Sequence, residues 1–230
     1  MAGLVDTQIR DSYKSVLRVN DNTNGIDSSL EVVEDGAGTD SPIKVSTTNV
    51  TVLDHQVNTQ YAYFGTTSED GIPSANETHY AIPFALSPGE LPTKLTLGTT
   101  LANPDTTYTV STTADDLVFC LWYVPDDITV SNVYVWAGAD DSGNNTLKFH
   151  LMSYDVVSNN SSDGGNLSNG VVVADGDDIA SLGYEQAYYQ SMTVENPNVD
   201  AGQVVLFTIW STDIPTADYT VNVTVKYHLR

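Results

Sequence analysis

Beyond residue 58, apolar and polar positions alternate with period two over long stretches, and that period predicts strands. The last stretch is the clearest. Tyr219, Val221, Val223, Val225, Tyr227 and Leu229 alternate with Thr220, Asn222, Thr224, Lys226 and His228. Residues 203–212 are apolar on both phases, which predicts a strand covered on both faces. Residues 213–217 then turn the chain, so the last two strands read as a hairpin. Residues 115–154 read as three strands in a row, parted by Pro125-Asp126-Asp127 and by residues 140–145. The run 117–124 is apolar without a break and predicts a doubly buried strand. Ile128 and Val130 alternate with polar neighbours, the phase slips at Ser131-Asn132, and Val133 and Val135 resume it. One extra residue inside a strand is a β-bulge. Leu147, Phe149 and Leu151 alternate with Lys148 and His150, which places both polar residues on a solvent face.

Shorter candidates are residues 78–86, with Pro83 suited to an edge or bulge, and two pieces within 95–110. Val171-Val172-Val173 and residues 185–194 add two more. Residues 157–170, rich in Ser, Asn and Gly, predict a long loop. Roughly eight strands with turn signals between them and no long helix predict an all-β fold: a jelly-roll-like β-sandwich over 59–230. Residues 1–58 differ. Ile9, Tyr13, Val16 and Leu17 form an apolar stripe if Asp6 or Thr7 caps a short helix, and residues 15–19 read equally well as a strand. Short strands at 29–33 and 43–53 follow, divided by polar turns at 21–25 and 35–40. Such pieces cannot bury a core alone, so they predict an extended, β-rich N-terminal arm that orders against something else.

Charge narrows the partners. Eight Lys and Arg against 30 Asp and Glu give a net charge of −22, which repels nucleic acid and anionic membrane surfaces. No apolar run is long enough to cross a bilayer, and residues 1–10 lack the basic and apolar regions of a secretory signal. The expected location is therefore a cytoplasm, or release from one by lysis. Four of the eight cations fall within the first 44 residues. Arg10, Lys14 and Arg18 recur every fourth position, beside Ile9, Tyr13 and Leu17, and form the candidate docking surface of the arm. Cys120 is the single cysteine and reads as a buried structural thiol.

Catalytic and metal motifs are missing from the sequence. There is no GxSxG, no phosphate-binding glycine loop, no CxxC and no paired-histidine motif. His55, His79, His150 and His228 read as surface residues. Residues 20–31 place oxygen side chains at the first, third and fifth positions of a calcium loop, with Gly25 and Glu31 in place. The loop lacks the leading Asp, and Asp27 stands where an apolar residue belongs, so a polar turn is the better reading. Asp175-Gly176-Asp177-Asp178 and Asp140-Asp141 with Asn144 read as solvated acidic turns. No metal or cofactor is expected. Tyr61, Tyr63, Tyr108, Tyr188 and Tyr189 read as cross-strand pairs in a sheet, with a sugar-binding platform as the alternative.

The first ~53 residues carry one further signal. Glu34-Asp35-Gly36, Gly38-Thr39, Ser41-Pro42 and Ser46-Thr47 resemble the N-terminal segment of virion surface proteins of tailed bacteriophages. The resemblance implies a homotrimeric, non-enzymatic structural protein. Residues 1–58 would attach to the major capsid or another virion protein, and residues 59–230 would form an outward-facing head. The expected role is capsid-surface decoration, cement or a short head fibre, made in the host cytoplasm and carried on the virion. A tail-fibre protein recognising host surface glycans is the alternative.

Overall fold

The computed structural model describes residues 17–21, 23–68, 77–84, 95–110, 114–140, 146–157, 162–180, 186–212 and 218–230. Their regular structure is almost wholly β-strand, and they divide into two compact units, one ending at Thr59 and one beginning at Gln60.

The first unit is an antiparallel meander of β1 (Arg18–Val19), β2 (Glu31–Glu34), β3 (Asp40–Val45), β4 (Val50–Val52) and β5 (His55–Gln56), each paired with the next. Its turns are encoded by short polar side chains. Asp35 Oδ1 accepts the backbone N–H groups of Ala37 and Thr39, each at 2.8 Å, and Gly38 supplies a φ of 82°. Ser46 Oγ accepts the N–H of Asn49 at 2.9 Å. Leu53 and Asp54 both adopt positive φ in the two-residue turn joining β4 to β5, as tight hairpins require. The polar motif of the N-terminal segment is thus largely turn chemistry.

The second unit opens with β6 (Thr59–Ser68) and β7 (His79–Ile82). The helix α1 (Ala114–Cys120) and β8 (Trp122–Tyr123) follow, then β9 (Ile128–Asp140), β10 (Thr146–Val156), β11 (Leu167–Asp175) and β12 (Ile179–Ala180). The chain finishes with β13 (Gln186–Val194), β14 (Asn198–Val199), β15 (Val204–Ser211) and β16 (Asp218–Leu229). One layer has the order β6-β16-β9-β13 and the other β11-β10-β15-β7, joined where Ala174 pairs with Val194. β8, β12 and β14 are short side pairings. Of the eight remaining strands, the first pairs the eighth, the second the seventh, the third the sixth and the fourth the fifth. That is a long antiparallel ribbon folded over on itself, the jelly roll that the strand count predicts.

The main core lies between the layers and is centred on Phe64, Phe149, Phe207, Val135 and Val223, none more than 0% exposed. A second core explains why all eight residues of β15 are buried. Residues 95–110 and α1 cover the other face of the second layer, with Leu95, Leu97, Leu117 and Cys120 packed with Met152, Tyr154 and Leu206. Hydrogen bonds fasten this strap: Tyr154 Oη donates to the Asp105 carbonyl at 2.8 Å, and Gly170 N–H donates to the Thr106 carbonyl at 2.9 Å. A Cβ at Gly170 would stand 2.5 Å from the Tyr154 ring and 2.8 Å from Thr106 Cα. Gly170→Ala is therefore expected to lower stability by about 1–3 kcal/mol in a urea titration, because neither neighbour can yield. A midpoint equal to wild type would mean that the strap is not packed this closely.

Several sequence expectations are corrected. Residues 114–120 are helical rather than part of a strand, and only Trp122 and Tyr123 of the apolar run are extended. The run is not buried all round. Leu117 and Cys120, three apart, face the second core, whereas Val118 and Phe119 are exposed. A one-sided, three-residue spacing fits a helix lying on the sheet. Nor do β15 and β16 form a hairpin, since β15 pairs with β10 and β7 while β16 pairs with β9. Of the three strands expected in a row over 115–154, the second and third are present as β9 and β10, which lie in opposite layers. A strand begins at Leu167 inside the expected loop, and the two strands expected within 95–110 are single bridges at Thr96 and Tyr108. The bulge is present, because Lys226 pairs with Asn132 and Tyr227 with Val130, leaving Ser131 unopposed. Among the described residues no helix is long and apolar enough to cross a membrane.

Candidate functional site

Three arrangements on this scaffold could carry function. The first is one face of the N-terminal meander. Ile43 lies opposite Val52 and Val45 opposite Val50, while Val19 lies opposite Val33, so these β-branched residues share a face. Among the described residues of this unit only Glu34 and Thr51 are buried, and both lie on the other face. Val50, Val52, Leu53 and Val57 are exposed, Leu53 at 71%. An open depression of about 460 Å³ bordered by Ser46, Asn49, Val50 and Val57 ends the apolar face. The polar face carries two ion pairs. Arg18 pairs with Glu34 at 2.6 Å, and Lys44 pairs with Asp54.

Of the residues expected to dock the arm, Ile9, Arg10, Tyr13 and Lys14 lie outside the described residues. Leu17 is exposed beside β1. Arg18 is engaged with Glu34 across the β1–β2 pair. The Val and Ile face is the larger feature, and the single strand expected over 43–53 is two, β3 and β4, folded back on each other.

The second arrangement is buried. His79 on β7 and His150 on β10 are both 0% exposed, with ring centroids 5.0 Å apart, and this corrects their expected place on the surface. His150 sits on the polar phase of β10, but the strap covers that side of the sheet. His79 Nε2 lies 3.0 Å from the Thr100 carbonyl. His150 Nε2 lies 3.3 Å from Asp175 Oδ1, and Lys148 Nζ lies 3.4 Å from the same oxygen. Burial pushes the His150 pKa down to about 3, helped by His79 and Lys148 and opposed by the nearby Asp175 carboxylate. Burial also lowers His79, against the hydrogen bond that its Nε2 donates to the Thr100 carbonyl. Both imidazoles are neutral at physiological pH and closed off from substrate. Burial likewise pushes the Cys120 thiol up to about 12, which leaves it unreactive.

The third arrangement is aromatic. On the outward face of the first layer, Trp136 of β9 lies opposite Tyr189 of β13, their rings 5.1 Å apart. Tyr134 stacks on Tyr189 at 6.3 Å. Tyr61 and Tyr63 alternate with buried Ala62 and Phe64 on β6, so they face outward too. Tyr188 instead packs against the main core and Tyr108 against the second. Sequence reasoning missed Tyr134 and Trp136, although two aromatics on the polar phase of an alternating strand were the signal for them.

The candidate cation turns are accounted for differently. Asp21 Oδ1 accepts the N–H groups of Thr23 and Asn24, which holds its pKa below the usual carboxylate range, and Asp27 Oδ1 accepts that of Ser29. Asn22, Asp141 and Asn144 lie outside the described residues. Among the described residues no three His, Cys, Asp or Glu converge as a bound cation would need. No protein-family model matches this chain, and no curated protein matches it in sequence.

Proposed function

We propose that the protein is a non-enzymatic structural component of a bacteriophage virion. Its N-terminal unit attaches to the capsid or another virion protein, and the jelly-roll head is presented outward. The observation that carries this reading is the uncovered Val and Ile face of the meander. A five-stranded sheet with no buried hydrophobic side chain among its described residues lacks the layer that stabilises a sheet. Burying a Val or Ile contributes roughly 1.5–3 kcal/mol, so covering Val50, Val52 and Val57 would stabilise the unit substantially. The turn residues that resemble the N-terminal segment of phage virion proteins, Glu34 to Thr47, lie in this same unit. Among the described residues the paired histidines, His79 and His150, are sealed from solvent.

The test is a phage carrying Val50→Glu with Val52→Glu in this gene, its particles purified and the protein counted by quantitative mass spectrometry. The wild-type protein is expected on the particles and the variant is expected to be lost from them, with its head still folded. A wild-type protein missing from particles, or a variant retained at full copy number, would contradict the reading.

A further inference from the structure

The outward face of the layer β6-β16-β9-β13 combines features that the structural role above leaves unused. Its centre is three rows deep. Ser191, Tyr134 and Thr224 form one row, Tyr189, Trp136 and Asn222 the next, and Ala187, Gly138 and Thr220 the third. Trp136 and Tyr189 remain 55% and 53% exposed although they touch each other. Single exposed aromatics are ordinary, but Trp136 and Tyr189 in contact, with Tyr134 stacked on Tyr189, make a patch of the kind that marks a binding surface. Nothing in the packing requires glycine at 138, where a Cβ would meet its nearest atom, Thr220 Cβ, at 3.8 Å. Its missing side chain, with Ala187 and Thr220, leaves a flat floor beside the Trp136 indole.

From this arrangement we infer that the face binds a neutral polysaccharide chain. A pyranose ring has a face of C–H groups that packs on an aromatic ring, and a rim of hydroxyls that needs hydrogen-bonding partners. Trp136, Tyr189 and Tyr134 supply the rings, and Asn222, Ser191, Thr220 and Thr224 supply uncharged donors and acceptors around them. Charge separates this ligand from the others that stack on aromatics. Single-stranded nucleic acid needs a basic groove beside the rings, yet the nine residues of the three rows carry no charge and the chain carries −22. The same charge repels acidic polysaccharides. A protein partner would be expected to meet Met or Arg anchors among the aromatics, and here the neighbours are Asn, Ser, Thr, Gly and Ala. The inference stands apart from the attachment of the N-terminal unit, and either can fail without the other.

The test is native electrophoresis of the full chain through gels holding glycogen, dextran, mixed-linkage β-glucan or galactomannan, with alginate as the acidic control. Retardation is expected in at least one neutral gel and not in alginate. Trp136→Ala and Tyr189→Ala are each expected to weaken it by about tenfold, whereas Phe119→Ala, an exposed aromatic on α1, leaves it unchanged. Two outcomes would overturn the inference: no retardation in any neutral gel, or retardation that both variants keep. So would a fall in molar mass by light scattering in Trp136→Ala, since the face would then be covered by a second copy of the chain.

Discussion

Alanine at Phe207 is expected to cost the head about 3–5 kcal/mol, the largest effect of any single change considered for this protein. Phe207 is fully buried where the two layers meet, with its ring 5.7 Å from Phe149 and 6.0 Å from Phe64. Those three rings come from β15, β10 and β6, so the site joins strands of both layers far apart in sequence. Removing the ring leaves a cavity that a two-layer sandwich, pinned by its ladders, cannot close. Since domains of this size are stable by roughly 5–15 kcal/mol, the loss is a large share of the total. Urea unfolding followed by tryptophan fluorescence reads it directly. Val118→Ser, on the exposed side of α1, is the control and should change stability by less than about 0.5 kcal/mol. A Phe207→Ala loss under about 1 kcal/mol would mean that the interface between the layers is not the core.

The second large effect is acid sensitivity set by the buried histidines. In the folded chain His150 titrates near 3, whereas an unfolded histidine titrates near 6.5. A group whose folded pKa is depressed in this way, and whose charged form is the acidic one, stabilises fully above the unfolded value. That stability is lost as pH falls from about 6.5 towards 3, because the unfolded chain takes up the proton and the folded chain does not. Between about pH 7.5 and 4.5 the loss from His150 comes to about 2–3 kcal/mol. His79 acts in the same direction. The groups facing the pair are Lys148, which reinforces the effect, and Asp175 and Asp105, which oppose it. Acidification also relieves the repulsion within a chain of net charge −22, so the histidine contribution must be isolated. The measurement is the urea midpoint of wild type and His150→Leu at both pH values. The variant is expected to lose at least half of the acid-induced drop. Equal drops in the two proteins would show that the buried pair does not control acid stability.

What was legible in the sequence follows from where each face of a strand ends up. β16 and the bulge at Ser131 were legible because the first layer is covered on one side only, which leaves a clean alternation. β15 was legible as doubly buried, but the identity of its second cover was not. That cover is the strap of residues 95–110 with α1, whose weak local pattern gives no hint of packing on a sheet. The same strap explains the misreading of His150, since a polar residue on the polar phase is exposed only if nothing lies over it. The helix 114–120 was missed because a short apolar run looks alike in strand and helix, and the i, i+3 burial of Leu117 and Cys120 appears only once the sheet is present. Pairing across layers, as between β6 and β16, is long-range information that no local pattern holds. The two candidate surfaces were half legible. The tyrosines of β6 and β13 stand out in the sequence as platform candidates, while the partner of Tyr189, Trp136, is set by the β9–β13 register, which no local pattern holds.

In the proposed role the apolar face of the N-terminal meander, exposed at Val50, Val52 and Val57 in the free chain, becomes covered on the virion. Amide hydrogen exchange tests it most directly, comparing the free protein with the same protein on purified particles. β3 and β4 are expected to exchange rapidly in the free chain and at least about 100-fold more slowly on the particle, with β10 and β15 strongly protected in both states. Equal exchange of β3 and β4 in the two states would contradict the claim, because the face would then gain no partner on assembly.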